Sequence, residues 1–399
     1  METDSSRNTE PPPFYRPDPL LPILFVTLMF FLTFLARVMF SPLMPSIEEE
    51  TGIGHAQAGS LFLVMSVGYF MALICSGFVS ARIHHRRTIT AAVCGTGAGL
   101  LLAAVSSGFW QLGVAVFILG AAAGLYLPSG ITTLTGMVHP GNWGKAVSVH
   151  ELAPNLAFVS APLLAELFLF KFDWRSMPAT TGVAAIIAGL MFAFFAKGGD
   201  FPGSPPGLDA VKRLASRLSF WIMALLFGMA ITSTMGVYTM LPLYLVEEIE
   251  MQRGFANSLV AFSRVPGLAM ALIAGWAADR YGPRATIVFM LGLTGIATIL
   301  LGACSSAAVA AVLVIFQAAL STGYFPAGFT LLSSIAPPDL RNVAVSLTIP
   351  MAFVFGGGIS PTIIGAAGDA GSFAAGFILV GVLMTAGAIL PVFLKTGMK

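Results

Sequence analysis

Charge is what this chain has least of. Of its 399 residues only 10% are Asp, Glu, Lys or Arg, while 57% are hydrophobic and the mean hydropathy is +0.88. So little polar surface cannot coat a water-soluble globule of this length, which leaves lipid as the solvent. Cysteine is scarce too: Cys75, Cys94 and Cys304 lie in apolar stretches, with no CxxC pair and no His cluster at metal-ligand spacing. That excludes a disulfide framework and a metal site and leaves the three as small hydrophobes. The net charge of +2 forms no continuous basic patch, so a nucleic-acid partner is excluded. There is no Ser/His/Asp set and no phosphate-binding glycine loop outside the apolar stretches, which argues against an enzyme and against any bound cofactor.

What the chain does have is long apolar runs. At about twenty residues per crossing, twelve spans are predicted: 20–46, 55–80, 87–107, 110–137, 144–168 and 176–196, then 218–246, 255–278, 284–304, 308–335, 341–367 and 372–394. The stretch 1–19, with Pro11-Pro12-Pro13, is too polar to span and has no short apolar core with a cleavage site, so a disordered tail is expected there rather than a signal peptide. Residues 197–217 form a Gly/Pro-rich linker ending in a basic stretch, and 395–399 a short second tail.

The two sets of six spans are copies. Gly77 recurs as Gly275, Arg82 as Arg280, Tyr126 and Pro128 as Tyr324 and Pro326, and Pro140, Ala146, Val147 and Ser148 as Pro338, Ala344, Val345 and Ser346, each pair 198 positions apart. Paired bundles of this kind let a transporter hold a site near the bilayer midplane and expose it alternately to each side.

Lysine and arginine set the expected orientation. With the amino terminus inside, the cytoplasmic segments hold fifteen of the twenty (Arg7, Arg16, Arg82, Arg86, Arg87, Lys145, Lys197, Lys212, Arg213, Arg217, Arg280, Arg284, Arg341, Lys395, Lys399) and the opposite side only Lys171, Arg175 and Arg253. Both termini are therefore expected in the cytoplasm, in a multi-pass protein of a bacterial inner membrane. Trp110, Trp143, Trp174, Trp221 and Trp276 fall at or near span ends, where amphipathic rings prefer to sit.

The connection after the eighth span reads Gly275-Trp-Ala-Ala-Asp279-Arg280-Tyr-Gly282-Pro-Arg284. It resembles the G-x-x-x-D-R-x-G-x-R signature of the major facilitator superfamily, which that family carries after its second helix and again after its eighth. With the duplication and the linker, the resemblance covers the chain after residue 19. It implies an all-α membrane protein with twelve transmembrane helices in two pseudo-symmetric six-helix bundles, with spans 1, 4, 7 and 10 lining a central cavity, spans 2, 5, 8 and 11 flanking it, and spans 3, 6, 9 and 12 outside. In agreement, the outer four spans carry no charge away from their ends. The first copy departs from the signature, since Gly77, Arg82 and Arg86 are kept but Ala81 replaces the acid and His84 the second glycine. In the family that acid helps to latch the cytoplasmic side, so the first-half latch is expected to be weaker or built from other residues.

Two basic residues remain inside spans. Arg37 and Arg264 each lie about nine residues, or about 14 Å, below an outer span end. An arginine at midplane costs about 2.5–3.5 kcal/mol on insertion scales and keeps its proton. Either both face the cavity and bind an anionic substrate, whose oxygens suit the guanidinium fork, or they brace the halves through helix carbonyls or Glu151. Glu151, the one acid well inside a span, is the candidate proton-coupling site, with His150 beside it. Loading Glu151 would raise the local charge and favour an anion, which is the linkage a symporter needs. Tyr126 and Tyr324, next to Pro128 and Pro326, together with Tyr69, Tyr238 and Tyr244, are candidate hydrogen-bond donors to a substrate. Asn155, Asn257 and Gln317 are further polar candidates.

The reading that follows is a transporter of a small, carboxylate-type organic anion, a symporter with the proton as coupling ion, working by alternating access as a monomer in the bilayer. Proton-coupled drug efflux is the rival. The family's drug exporters carry an arginine in span 4 and a Gly-Pro pair in span 5, where this chain has Val116 and Ala161-Pro162. An exchanger of organic phosphates would use the two arginines equally well and need no proton site. A sensor that keeps the fold without transport finds no appended soluble domain to support it.

Overall fold

The computed structural model describes residues 17–204, 207–335 and 340–394. Most of the expected first tail and all of the second lie outside the described residues, as do Arg7, Arg16, Lys395, Lys399, Pro338 and the side chain of Arg341. The first helix begins at Pro17, inside the expected tail, and span 1 runs on to Thr51, taking in Glu48, Glu49 and Glu50. Within the linker, Leu208–Ala215 forms a short helix where irregular chain was expected.

Eleven helical stretches are long and apolar enough to cross a membrane, and one of them is double. His55–Ala104 has 50 residues, which as a straight helix would reach about 75 Å. At His84 the backbone leaves the helix (φ 69°, ψ 160°). Both arms then pack on one neighbour: Gly120 lies against Met65, while the adjacent Leu119 lies against Gly99. Met65 and Gly99 can reach neighbouring positions only if the chain reverses between them. The arms 55–83 and 85–104 are thus separate crossings, which gives six before the linker and six after.

Proline marks the breaks of the inner spans, although Pro162, Pro242 and Pro350 lie inside unbroken helices. A proline offers no N–H to the carbonyl four residues back and crowds it. Helices accordingly end at Val38, Gly124, His150, Phe262 and Thr322, four residues before Pro42, Pro128, Pro154, Pro266 and Pro326. These breaks fall in spans 1, 4, 5, 8 and 10. Spans 7 and 11 widen instead into one-turn π-helices, Thr232–Gly236 and Phe355–Ile359. The two wide turns pack on each other through Gly356, where an added Cβ would lie 2.3 Å from the Thr232 nitrogen. The outer crossings 85–104, Ser176–Phe195, Pro283–Ala303 and Phe373–Gly387 run without a break. Apart from the end of the last span, where Leu390–Phe393 forms a 3-10 turn, irregular backbone inside the crossings is thus kept to the inner spans, in keeping with lipid offering no hydrogen bonds.

The halves meet closely at the end away from the linker. There span 1 packs on span 7, span 2 on span 11 and span 5 on span 8. The Ser41 hydroxyl donates to the Tyr238 carbonyl (2.9 Å), and the Asp369 carboxylate at the end of span 11 accepts the backbone N–H groups of His55 (2.8 Å) and Ala56 (2.9 Å) at the start of span 2. Glu166 of span 5 accepts from Arg253 and Asn257 of span 8. Toward the linker the halves part, leaving Met71, Phe78, Leu152, Leu156, Leu268 and Leu272 exposed. Four of the five tryptophans are exposed at span ends as expected, whereas Trp174 is buried and donates to Glu50 (2.7 Å), because the lengthened span 1 brings that acid alongside.

Candidate functional site

Every proline break sets a chemistry-bearing side chain beside it: Arg37 precedes the break in span 1, Tyr126 follows that in span 4, His150 and Glu151 straddle that in span 5, Arg264 follows that in span 8 and Tyr324 that in span 10. The breaks lie part-way along their spans, so these residues gather at the depth where the sealed end gives way to the parted one.

Arg37 points into the interface and is 3% exposed. Its guanidinium carbon lies 4.0 Å from the Tyr69 ring centroid, 4.6 Å from that of Phe353 and 5.4 Å from that of Phe34. Such contacts contribute about 0.5–2 kcal/mol each, enough together to offset a burial cost of about 2.5–3.5 kcal/mol. The cation is therefore tolerated without a carboxylate. One amino group reaches the sulfur of Met235 (4.0 Å), its own repeat mate 198 positions on, and Nε has no partner. A cavity with room for about one water adjoins it, lined by Phe30, Thr33, Phe34, Tyr69, Ala123 and Leu127.

Arg264 is held in the same manner. Its guanidinium carbon stands 4.6 Å from the Phe158 ring centroid and 4.7 Å from that of Tyr238. One amino group donates to the Thr234 carbonyl (2.8 Å), and Nε is again unpartnered. Thr234 and Met235 are neighbours in the π-helical turn of span 7, so one widened turn holds both arginines. Phe34 and Phe158 meet edge to face at 5.2 Å and bridge the two cations with aromatic surface. Among the described residues no carboxylate lies within 4.0 Å of either guanidinium. The alternative in which Glu151 neutralises one of them is not what the structure has.

Glu151 instead turns to His150, whose Nδ1 lies 3.4 Å from its Oε1. The acid side chain is 52% exposed toward the parted end, while the imidazole is fully buried. The other ring nitrogen of His150 lies 3.0 Å from the Tyr126 hydroxyl, which donates to the Val26 carbonyl (2.7 Å). Phe30 stacks on the imidazole at 4.4 Å and lines the Arg37 cavity on its way.

Several expected substrate donors are committed elsewhere. The hydroxyl of Tyr126 is taken up as above, that of Tyr238 by the Phe158 carbonyl (3.2 Å) and that of Tyr244 by the Leu301 carbonyl (2.7 Å). Tyr238 serves the site through its ring face, and Tyr69 through both its ring face and its hydroxyl beside Arg37. Asn257 sits in the sealed end, bound to Glu166 (2.6 Å), and Gln317 braces the wide turn of span 7 through the Ser233 carbonyl (2.9 Å). Asn155 is bound to the Glu151 carbonyl (3.0 Å). Tyr324 is buried with its hydroxyl unpartnered. Sequence reasoning missed Phe34, Phe158, Phe353 and Met235; only Met235 carried a signal, as the repeat mate of Arg37.

The signature loops differ between the halves. Gly282 has φ +87°, which glycine accepts freely, while its mate His84 holds φ 69° at a cost of about 1–3 kcal/mol. Gly275, Asp279 and Arg280 lie in the last turns of Val265–Tyr281; among the described residues Asp279 is exposed without an ion-pair partner, Arg280 lies by the Trp276 and Tyr281 rings, and Arg284 keeps two buried nitrogens unpartnered. In the first half the linker supplies what Ala81 lacks. Asp200 pairs with Arg86 (3.1 Å), and Gly199, Phe201 and Gly203 bond through their backbone to Arg86, His85 and Ser80, in the stretch between Gly77 and Arg86 that includes Arg82.

Two bundles sealed together at one end, with unpaired cations and a titratable pair where they part, define a secondary transporter. The chain belongs to the Major Facilitator Superfamily, whose family model matches residues 26–269 and 251–397. It is similar to the multidrug resistance protein MdtL of Klebsiella pneumoniae (24% identity over 78% of this chain and 80% of that protein). It is also similar to the probable sulfoacetate transporter SauU of Cupriavidus necator (23% identity over 43% of this chain and 40% of that protein). In fold it matches a bacterial homolog of the human lysosomal transporter Spinster in an inward-facing, unoccupied conformation, with TM-score 0.77 and 15% identity over 95% of each chain.

Proposed function

We propose that the protein carries a small organic anion across the membrane together with a proton, the anion sitting against Arg37 and Arg264 and the proton on the Glu151–His150 pair. The observation that carries this reading is two buried guanidinium groups, each stabilised by ring faces and, among the described residues, each with an unpartnered Nε and neither paired to a carboxylate. A lipophilic cation gains nothing from that charge. The kinship to SauU supports an oxyanion. On the distribution of lysine and arginine, the linker end faces the cytoplasm of a bacterial inner membrane. Protonating the pair adds a positive charge near the site, so acid favours anion binding and the bound anion favours the proton.

The similarity to MdtL favours a second reading, proton-driven expulsion of drugs. One experiment separates them: uptake into proteoliposomes of monocarboxylates, dicarboxylates, sulfonates, organic phosphates and lipophilic cations, with and without a pH gradient. A carboxylate or sulfonate should accumulate with the inward proton gradient, and both Arg37→Lys and Arg264→Lys should weaken its uptake by about tenfold or more, because lysine lacks the fork and the stacking plane. Transport of the cations alone would overturn the proposal.

A further inference from the structure

Resting on that reading, the hydrogen-bond chain behind the site points to something more specific. We infer that Tyr126 is a positioning residue that fixes His150 in one tautomer, so that His150 and Glu151 together bind a single proton and the matching position of the second half binds none.

A carbonyl can only accept. Since the Val26 carbonyl lies 2.7 Å from the Tyr126 hydroxyl, the one hydrogen of that hydroxyl is spent there. Its oxygen, 3.0 Å from His150 Nε2, is then left to accept, which puts the hydrogen of the neutral imidazole on Nε2. Nδ1 is left as a lone pair facing the Glu151 carboxylate at 3.4 Å. Two acceptors confront each other, and one proton between them turns the contact into a bond. It enters from the parted end through Glu151, which is half exposed, and no water reaches the imidazole itself. Tyr126 and Glu151 are the titratable groups bonded to this imidazole; Arg37 and Tyr69 stand beyond Phe30, across the small cavity, and Lys145 sits on the same short helix, bound to Asn142. The added charge appears one ring away from that cavity, since Phe30 stacks on the imidazole and lines the Arg37 pocket.

The duplication supplies an internal control. The mates of Tyr126 and His150 are Tyr324 and Thr348, and both of those hydroxyls are buried with no partner among the described residues. A hydroxyl in place of the imidazole cannot take up a proton near neutral pH.

Nitrogen-15 spectra of histidine-labelled protein in lipid test this without a substrate, with His150→Gln assigning the signal among the five histidines. The expected result is the Nε2–H tautomer at high pH, converting to the doubly protonated ring as the pH falls. In Tyr126→Phe the two tautomers should mix and the conversion should move. A wild-type Nδ1–H tautomer, or a Tyr126→Phe spectrum identical to wild type, overturns the inference whether or not an anion is carried. In proteoliposomes, Glu151→Gln should cut gradient-driven anion uptake by about tenfold, within the usual span of coupling energies. A proton-to-anion ratio of two would overturn it as well.

Discussion

His84 shows how a single residue can record a departure from symmetry. The repeat places glycine at the matching turn, where Gly282 adopts φ +87°, and His84 is forced to nearly the same conformation. Holding a side chain there costs about 1–3 kcal/mol, against about 0.5–1 kcal/mol for the extra freedom glycine gives the unfolded chain. His84→Gly should therefore stabilise the protein by about 1 kcal/mol and raise its thermal midpoint in detergent. A lower midpoint would mean that the His84 side chain makes a contact worth more than the strain. The linker segment bonded to His85 and Arg86 offers a reason the strain persists, because it pins the loop from the other side.

At the scale of the element, proline and glycine do most of the shaping, and this sets how far the sequence could be read. The twelve crossings, the duplication and the two deep arginines were legible because hydropathy, a constant spacing and intramembrane charge are local signals. The five breaks were legible only as candidates, since each lies four residues before a proline but Pro162, Pro242 and Pro350 sit inside unbroken helices. The two π-helical turns were not, because nothing local distinguishes Thr232–Gly236 from ordinary helix; they exist through contact with each other, in the crowding of Gly356 against Thr232. The aromatic surroundings of the arginines were hidden for the same reason, Phe353 and Phe158 coming from spans far apart in the chain. Gly356→Ala would force a Cβ into the backbone of span 7 and should destabilise by about 1–3 kcal/mol, the usual cost of overpacking. Gly144→Ala, in a helix and with nothing within 4 Å of its would-be Cβ, is the control and should stabilise by about 0.5–1 kcal/mol. Equal effects from the two would show that the π–π contact is not what orders this level of the molecule.

For the molecule as a whole, alternating exposure demands that the seal at the end away from the linker be strong enough to form and weak enough to break. Beside the Glu166–Arg253 pair, its charged element is Asp369, which crosses from one half to cap the first two N–H groups of a helix in the other. A helix start favours a negative charge, and charge-assisted hydrogen bonds contribute about 1.5–3 kcal/mol. The bond exists only while that end is shut, so its whole contribution biases the balance between the two states. Asp369→Asn keeps an acceptor but removes the charge, and a loss of about 1.4 kcal/mol would move the population tenfold toward the opposite opening. Ser41, buried where span 1 meets span 7, reports that opening if changed to Cys in a chain with Cys75, Cys94 and Cys304 replaced by Ser. A membrane-impermeant maleimide should then label Ser41→Cys about tenfold faster when Asp369→Asn is also present, with little change in thermal midpoint. Unchanged labelling would assign the seal to the Glu166–Arg253 pair and to close backbone packing, such as Gly59 against the Pro361 carbonyl and Gly365 against that of His55, and leave the Asp369 carboxylate as a local cap.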